Sequence, residues 1–215
     1  EGHSMDYIKL LDDKGDSLTN TFLHLQSELW NEEGNILSLW LDPGRIKRDL
    51  QPNKLLGPPL IKNRRYTLLI DAQWPDKQGT ILGRPYSKKF IATERDTVSP
   101  NPDQWSLSIP AKDTKGALAV YTNELLDYML LLNSITLMDS VGNLIPGAII
   151  STNQERGFLF TPEKSWETGT YILQVESRLA DPSGNNLDRL FDVDLQSRKS
   201  VKSSQSIYTR FWRIE

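Results

Sequence analysis

Apolar and polar residues alternate most clearly in TYILQVESRLADPSGNNLDRLF, residues 170–191. Tyr171, Leu173 and Val175 fall on one side and Ile172, Gln174 and Glu176 on the other, the two-residue period of a half-buried antiparallel strand. A turn follows. Asp181 can hold amides two residues further on, Pro182 fixes its own φ, and Gly184 takes positive φ without steric cost. Leu187 and Phe191 then resume the buried set.

The same pattern stands at RYTLLIDAQWPDKQGTILGRPY, residues 65–86, at an offset of 105 (171 − 66) with no gap. Tyr66, Leu68, Ile70, Asp76, Gly79 and Leu82 meet Tyr171, Leu173, Val175, Asp181, Gly184 and Leu187. Upstream, ILSLWLDPGRI aligns with ALAVYTNELLD at an offset of 81 (118 − 37), placing Leu37, Leu39 and Trp40 opposite Leu118, Val120 and Tyr121. The difference leaves room for SITLMDSVGNLIPGAII, in which DSVGN reads as a hairpin turn. Self-similarity of this kind, with turn signals about every 8–12 residues, predicts two copies of one all-β unit, two β-sandwich domains in tandem.

The boundaries follow from composition. Residues 1–17 read as a tag remnant and flexible N-terminus, 18–93 as the first sandwich, 94–104 as a proline-bearing linker and 105–215 as the second sandwich. The polar, basic SRKSVKSSQS makes a flexible insertion near 196–206, and IYTRFWRIE, whose YTRF is similar to YSKKF at 86–90, makes the final strand, 207–214. Helical spacing occurs only in TNELLDYMLLLNSI, where a single turn is expected.

Composition adds exclusions. With 38% hydrophobic and 25% charged residues among 215, the chain has ordinary globular usage, and a net charge of −3 gives no reason to expect nucleic acid. There is no cysteine, so disulfides and thiolate chemistry are absent. No apolar run reaches the roughly 18 residues a membrane-spanning helix needs.

The segment FTPEKSWETGTYILQVESRLADPSGNNL, with Phe160, Pro162, Gly169, Tyr171, Val175, Asp181, Gly184 and Asn185, resembles the bacterial Ig-like domain of surface-layer and other exported proteins. The resemblance covers residues 103–191 well and the first copy in part, where GT replaces GN. It implies two Ig-like sandwiches in tandem, exported to the periplasm or cell surface, with or without a lipid anchor. Such a protein is a non-enzymatic spacer or adhesion unit whose partner is an envelope protein or a glycan.

Candidate chemistry is sparse. Of the two histidines, His3 lies in the expected tag and His24 reads as an outward strand residue, so neither a catalytic triad nor a histidine zinc site can be assembled. Asp42, Asp76, Asp139 and Asp181 precede proline, glycine or small residues and read as turn caps rather than a glycosidase pair. Asp181, Asn185 and Asp188 offer oxygens to calcium but lack EF-hand spacing. No cofactor is implied. Residues 42–65 carry Arg45, Lys47, Arg48, Lys54, Lys62, Arg64 and Arg65 against two aspartates, a basic stretch suited to an anionic glycan or headgroup, or simply a solvated face. Trp40 and Tyr121, at matching positions, are candidates for stacking on sugars or anchoring a partner. Trp105, Trp166 and Trp212 read as packing residues.

Overall fold

The alternating segments become strands, and short helices fill two of the connections between them. The computed structural model describes residues 3–192 and 206–215, and the chain divides into two units, Glu1–Asp96 and Thr97–Glu215. The architecture is all-β.

In the first unit, β1 (Ile8–Leu11) is followed by the hairpin of β2 (Leu29–Trp30) and β3 (Leu37–Ser38). Helices α1 (Pro43–Ile46) and α2 (Gln51–Leu56) lead to β4 (Arg65–Ile70) and β5 (Tyr86–Ile91). The three-stranded sheet has β4 between antiparallel β1 and β5, with Leu10 opposite Leu68 and Tyr66 opposite Phe90. Leu10, Tyr66 and Ala92 form its buried core, with Leu18, Phe22, Leu60 and Phe90 packed against them. Residues 8–11, expected to lie in a flexible N-terminus, instead form an edge strand of the sheet, and β1 buries Leu10, which is only 2% exposed. The two helices were also not expected. Asp42 caps α1 by accepting from the Gly44 amide at 2.8 Å, with Pro43 in the first turn where its missing N–H costs nothing.

The second unit opens with a 3-10 turn, Pro102–Gln104, and continues through β6 (Ser106–Ser108), β7 (Leu118–Tyr121), α3 (Tyr128–Asn133), β8 (Ile135–Asp139), β9 (Gly147–Thr152), β10 (Gly157–Pro162), β11 (Gly169–Glu176) and β12 (Ile207–Ile214). One sheet has the order β6-β7-β10-β9, the other β12-β11-β8, and all neighbours are antiparallel. Leu118, Val120, Phe158 and Phe160 from the first sheet and Leu137, Tyr171, Leu173, Val175 and Trp212 from the second share a single core. Within it Trp166 meets Tyr171 edge-on at 5.0 Å, and Tyr171 stacks on Trp212 at 5.5 Å. Part of the expected linker belongs here: Pro102 is buried, and the Arg210 guanidinium donates to the carbonyls of Pro102 and Trp105. The insertion expected near 196–206 lies outside the described residues except for Ser206.

Matched geometry recurs at fixed offsets. Asp76 donates its amide to the Thr80 carbonyl and accepts the Gly79 amide on its own carbonyl, and Asp181, Asn185 and Gly184 repeat this 105 residues on (181 − 76). The bridge Pro75↔Ile81 is likewise followed at 105 by Ala180↔Asn186. A second offset, 127 (139 − 12), relates the turn of Asp12 and Gly15 to that of Asp139 and Gly142 and the bond from the Leu18 amide to Leu10 to that from Ile145 to Leu137, while the pairing of Leu10 with Leu68 matches that of Leu137 with Leu173 at 127 on one strand (137 − 10) and 105 on the other (173 − 68). The expected alignment of Leu37 and Leu39 with Leu118 and Val120 is not reproduced. β7 lies between β6 and β10, whereas the chain at Leu41 bridges to Phe22. Alternation is common to every half-buried strand, so non-equivalent strands can share it.

The two tyrosines also match. Tyr171 is buried, and its hydroxyl accepts the Glu167 amide and donates to the Glu167 carbonyl, both at 2.9 Å. Tyr66 is buried, and its hydroxyl accepts the Ile61 amide at 2.8 Å. Replacing Tyr171→Phe keeps the ring and removes the clamp, so the second unit should lose about 1 kcal/mol of stability, the net worth of such a bond. Chemical denaturation followed by the near-ultraviolet signal of the buried tryptophans checks this, and Tyr66→Phe should act in the same direction on the first unit.

Candidate functional site

Arg45, the first cation of the basic stretch, points inward. It is 7% exposed, and its guanidinium donates to the carbonyls of Gly57 at 2.8 Å, Thr19 at 3.0 Å and Asn20 at 3.3 Å. Asn53 in turn donates to the Arg45 carbonyl. The planar fork therefore ties the helical connection to the loop before Thr21, which removes Arg45 from the ligand-facing candidates. Lys62 pairs with Glu94. Lys47 is half-buried at the end of α1, Arg48 is exposed just after it, and Arg64 and Arg65 are exposed at the start of β4.

The aromatic candidates are on the surface. Trp40 is 48% and Tyr121 46% exposed, Trp40 in the first unit and Tyr121 in the second. Trp40 borders an open depression floored by Met5, Leu23, Leu25, Leu29, Leu37 and Leu39, with Glu28 on its rim. Beside it, Trp30 lies 6.1 Å from Trp74. The Glu28 carboxylate accepts from the Ser4 amide at 2.7 Å, the Ser4 hydroxyl at 2.8 Å and Trp30 Nε1 at 2.9 Å. Burial pushes the Glu28 carboxyl up, but the hydrogen bonds from Trp30 and Ser4, with the nearby His3, outweigh it and hold the group below its usual value. The exposed Trp40 ring beside these leucines offers an aromatic face on which an apolar group or a sugar ring could stack. Nothing in the sequence marked Glu28, Met5 or Trp30, because their convergence depends on residues 4 and 28 meeting across a loop.

The oxygen-rich cluster serves its own turn. Asp181 and Asn185 are buried at 3% and 2%, and Asp181 accepts both the backbone and the side-chain amide of Asn185, at 2.9 and 2.8 Å. Asn185 Oδ1 accepts the Phe191 amide, and Asp188 accepts the Tyr208 hydroxyl at 2.8 Å. Burial first, and then the bond and charge of Asp188, push the Tyr208 hydroxyl up. Asp139 repeats the arrangement at the surface, where the side-chain and backbone amides of Asn143 hold its carboxyl down. His24 is exposed. Among the described residues no helix is long and apolar enough to cross a membrane. No protein-family model and no curated protein matches the chain.

Two outcomes follow from these side chains. Arg45→Met should destabilise the first unit by about 2–4 kcal/mol, since it strands several carbonyls, and a thermal melt will show it. Glu28 has a lowered native pKa, so its contribution is present above the ordinary 4.5 and is lost as the pH falls through the lower native value. The Trp30 indole N–H resonance should follow that titration and become pH-independent in Glu28→Gln.

Proposed function

We propose that the chain is a tandem of two Ig-like sandwich units that acts, without catalysis, as a spacer and protein-interaction module of the cell envelope. The observation carrying this reading is the strand order of the second unit. Its first, second, fifth and fourth strands make one sheet and its third, sixth and seventh the other. This is the order of a seven-stranded immunoglobulin constant-type sandwich. The Tyr171 hydroxyl, clamped to Glu167 at the start of the sixth strand, fits the tyrosine corner of such folds. The two fixed offsets support reading the first unit as a second copy.

Polar groups that offered a calcium or anion site have structural tasks. Asp181 and Asn185 hold a turn, and Arg45 holds a loop. Export to the periplasm or cell surface is proposed from the resemblance of residues 160–187 to exported Ig-like domains. Fractionation of the protein's own cells tests it, with recovery in the envelope expected and recovery in the cytosol overturning the assignment.

A second reading, a carbohydrate-binding module, is favoured by one feature, the apolar depression beside the exposed Trp40. On a glycan array, the interaction-module reading expects no retention. Glycan retention that disappears in Trp40→Ala, with at least a tenfold loss of affinity (about 1.4 kcal/mol) and no loss in Tyr121→Ala, would establish the carbohydrate reading instead.

A further inference from the structure

Helix α2 turns one side to the protein and its leucines to water. The Asn53 side-chain amide donates to the Arg45 carbonyl, which fixes the inward side. A helix turns about 100° per residue, so Leu55 stands roughly 200° round from Asn53 and faces outward. Leu55 is 77% and Leu56 55% exposed, and Leu50 and Ile61, at either end of the same connection, are each 43% exposed. Ile61 follows Gly57 by four residues (61 − 57), which keeps the two within about 14 Å. Single exposed leucines are ordinary, whereas several large aliphatic side chains bared in one short connection mark a contact surface.

The same connection is strongly cationic. Residues 47–65 carry Lys47, Arg48, Lys54, Lys62, Arg64 and Arg65 against Asp49, a net charge of +5 (6 − 1), in a chain whose total is −3. All other residues together therefore sum to −8 (−3 − 5). Two adjacent residues after β5 draw the ends of this connection together. The Arg95 guanidinium donates to the Ile46 carbonyl at 3.1 Å, at the end of α1, and Glu94 pairs with Lys62. From beneath, buried Arg45 holds the Gly57 carbonyl at 2.8 Å, directly after α2. The leucines thus stand on a braced base, and little ordering is needed when they meet a surface.

We propose that this end of the first unit docks on an anionic phospholipid surface, with Leu55 and Leu56 seated at the boundary between headgroups and acyl chains and Arg48, Lys54, Lys62 and Arg64 set against the phosphates. Aliphatic side chains among cations meet both demands of such a boundary: the leucines gain by leaving water, and the ammonium and guanidinium groups are drawn to the negative surface. An acidic polysaccharide would satisfy the cations and leave the leucines wet. The negative remainder of the chain is repelled by the same surface, which confines contact to this end. A helix of six residues lies on the boundary and does not cross it. The inference needs neither the duplicated architecture nor the adhesion role, so it stands or falls separately from them.

The test is co-sedimentation of the full chain with vesicles of phosphatidylcholine alone and of equimolar phosphatidylcholine and phosphatidylglycerol. Binding to the anionic vesicles should be stronger by about tenfold or more and should weaken as salt is raised. Replacing Leu55→Ser together with Leu56→Ser should lower it by about tenfold or more, with an unchanged thermal melt because both side chains are exposed. Reversing Lys54→Glu and Arg64→Glu should cost about as much, whereas reversing the exposed Lys112→Glu and Lys115→Glu of the second unit should cost nothing. Equal binding to the two kinds of vesicle, or binding to neither, overturns the proposal. So does a leucine variant that binds as the parent does, since the site would then be a contact for any polyanion, and so does an equal loss from the second-unit reversal.

Discussion

A carboxylate that closes a turn onto its own backbone sets the register of the sheets. Asp12, Asp76, Asp139 and Asp181 each accept the amide of the residue four places on, at 2.8–2.9 Å, and each is followed after three residues by a glycine at positive φ, from +84° to +94°. A strand has a two-residue side-chain period, so a slip of one position would turn every buried residue toward water. The aspartate turn forbids that slip locally, before distant strands meet. Gly184 shows how tightly one copy is built: a Cβ there would stand 2.8 Å from the Phe191 ring.

With register set, the cores diverge in size. The second unit gathers aliphatic and aromatic residues of both sheets around Trp166, which donates its indole N–H to the Gly116 carbonyl at 2.7 Å. The indole of Trp166 is thus satisfied while its ring fills the middle of the core. Among the described residues, the first unit's core cluster holds Leu10, Tyr66 and Ala92, with Ile8 also buried, and its three-stranded sheet relies on Phe22, Leu18, Leu60 and Phe90 for cover. Apolar burial is the main favourable term in folding, so the first unit has the weaker hold on its structure.

Much of this was legible in the residues, and the gaps have physical reasons. The offset of 105 could be read from Tyr66, Asp76 and Gly79 against Tyr171, Asp181 and Gly184, because a turn that needs one aspartate and one glycine at fixed spacing tolerates few substitutes. The offset of 127 is present in the same form, as DDKGD and DSVGN, but the single short strand IKLL before DDKGD carries too few residues for its alternation to stand out. Helix α1 carried a readable Asp-Pro start in Asp42 and Pro43, although four residues are too few to show helical periodicity. The inward turn of Arg45 and the clasp of Glu28 on Ser4 and Trp30 were not legible, since both depend on loops whose path no local pattern specifies.

The six tryptophans divide evenly, and their surroundings do not. Trp105, Trp166 and Trp212 are 3%, 2% and 7% exposed, whereas Trp30 and Trp40 are 37% and 48% exposed and Trp74 is half-buried. Dry indoles emit at shorter wavelength than wet ones, so burial alone should place the second unit's emission to the blue of the first unit's. The chain thereby carries its own two-colour reporter, in which loss of the blue component marks the opening of one unit and leaves the other as an internal reference.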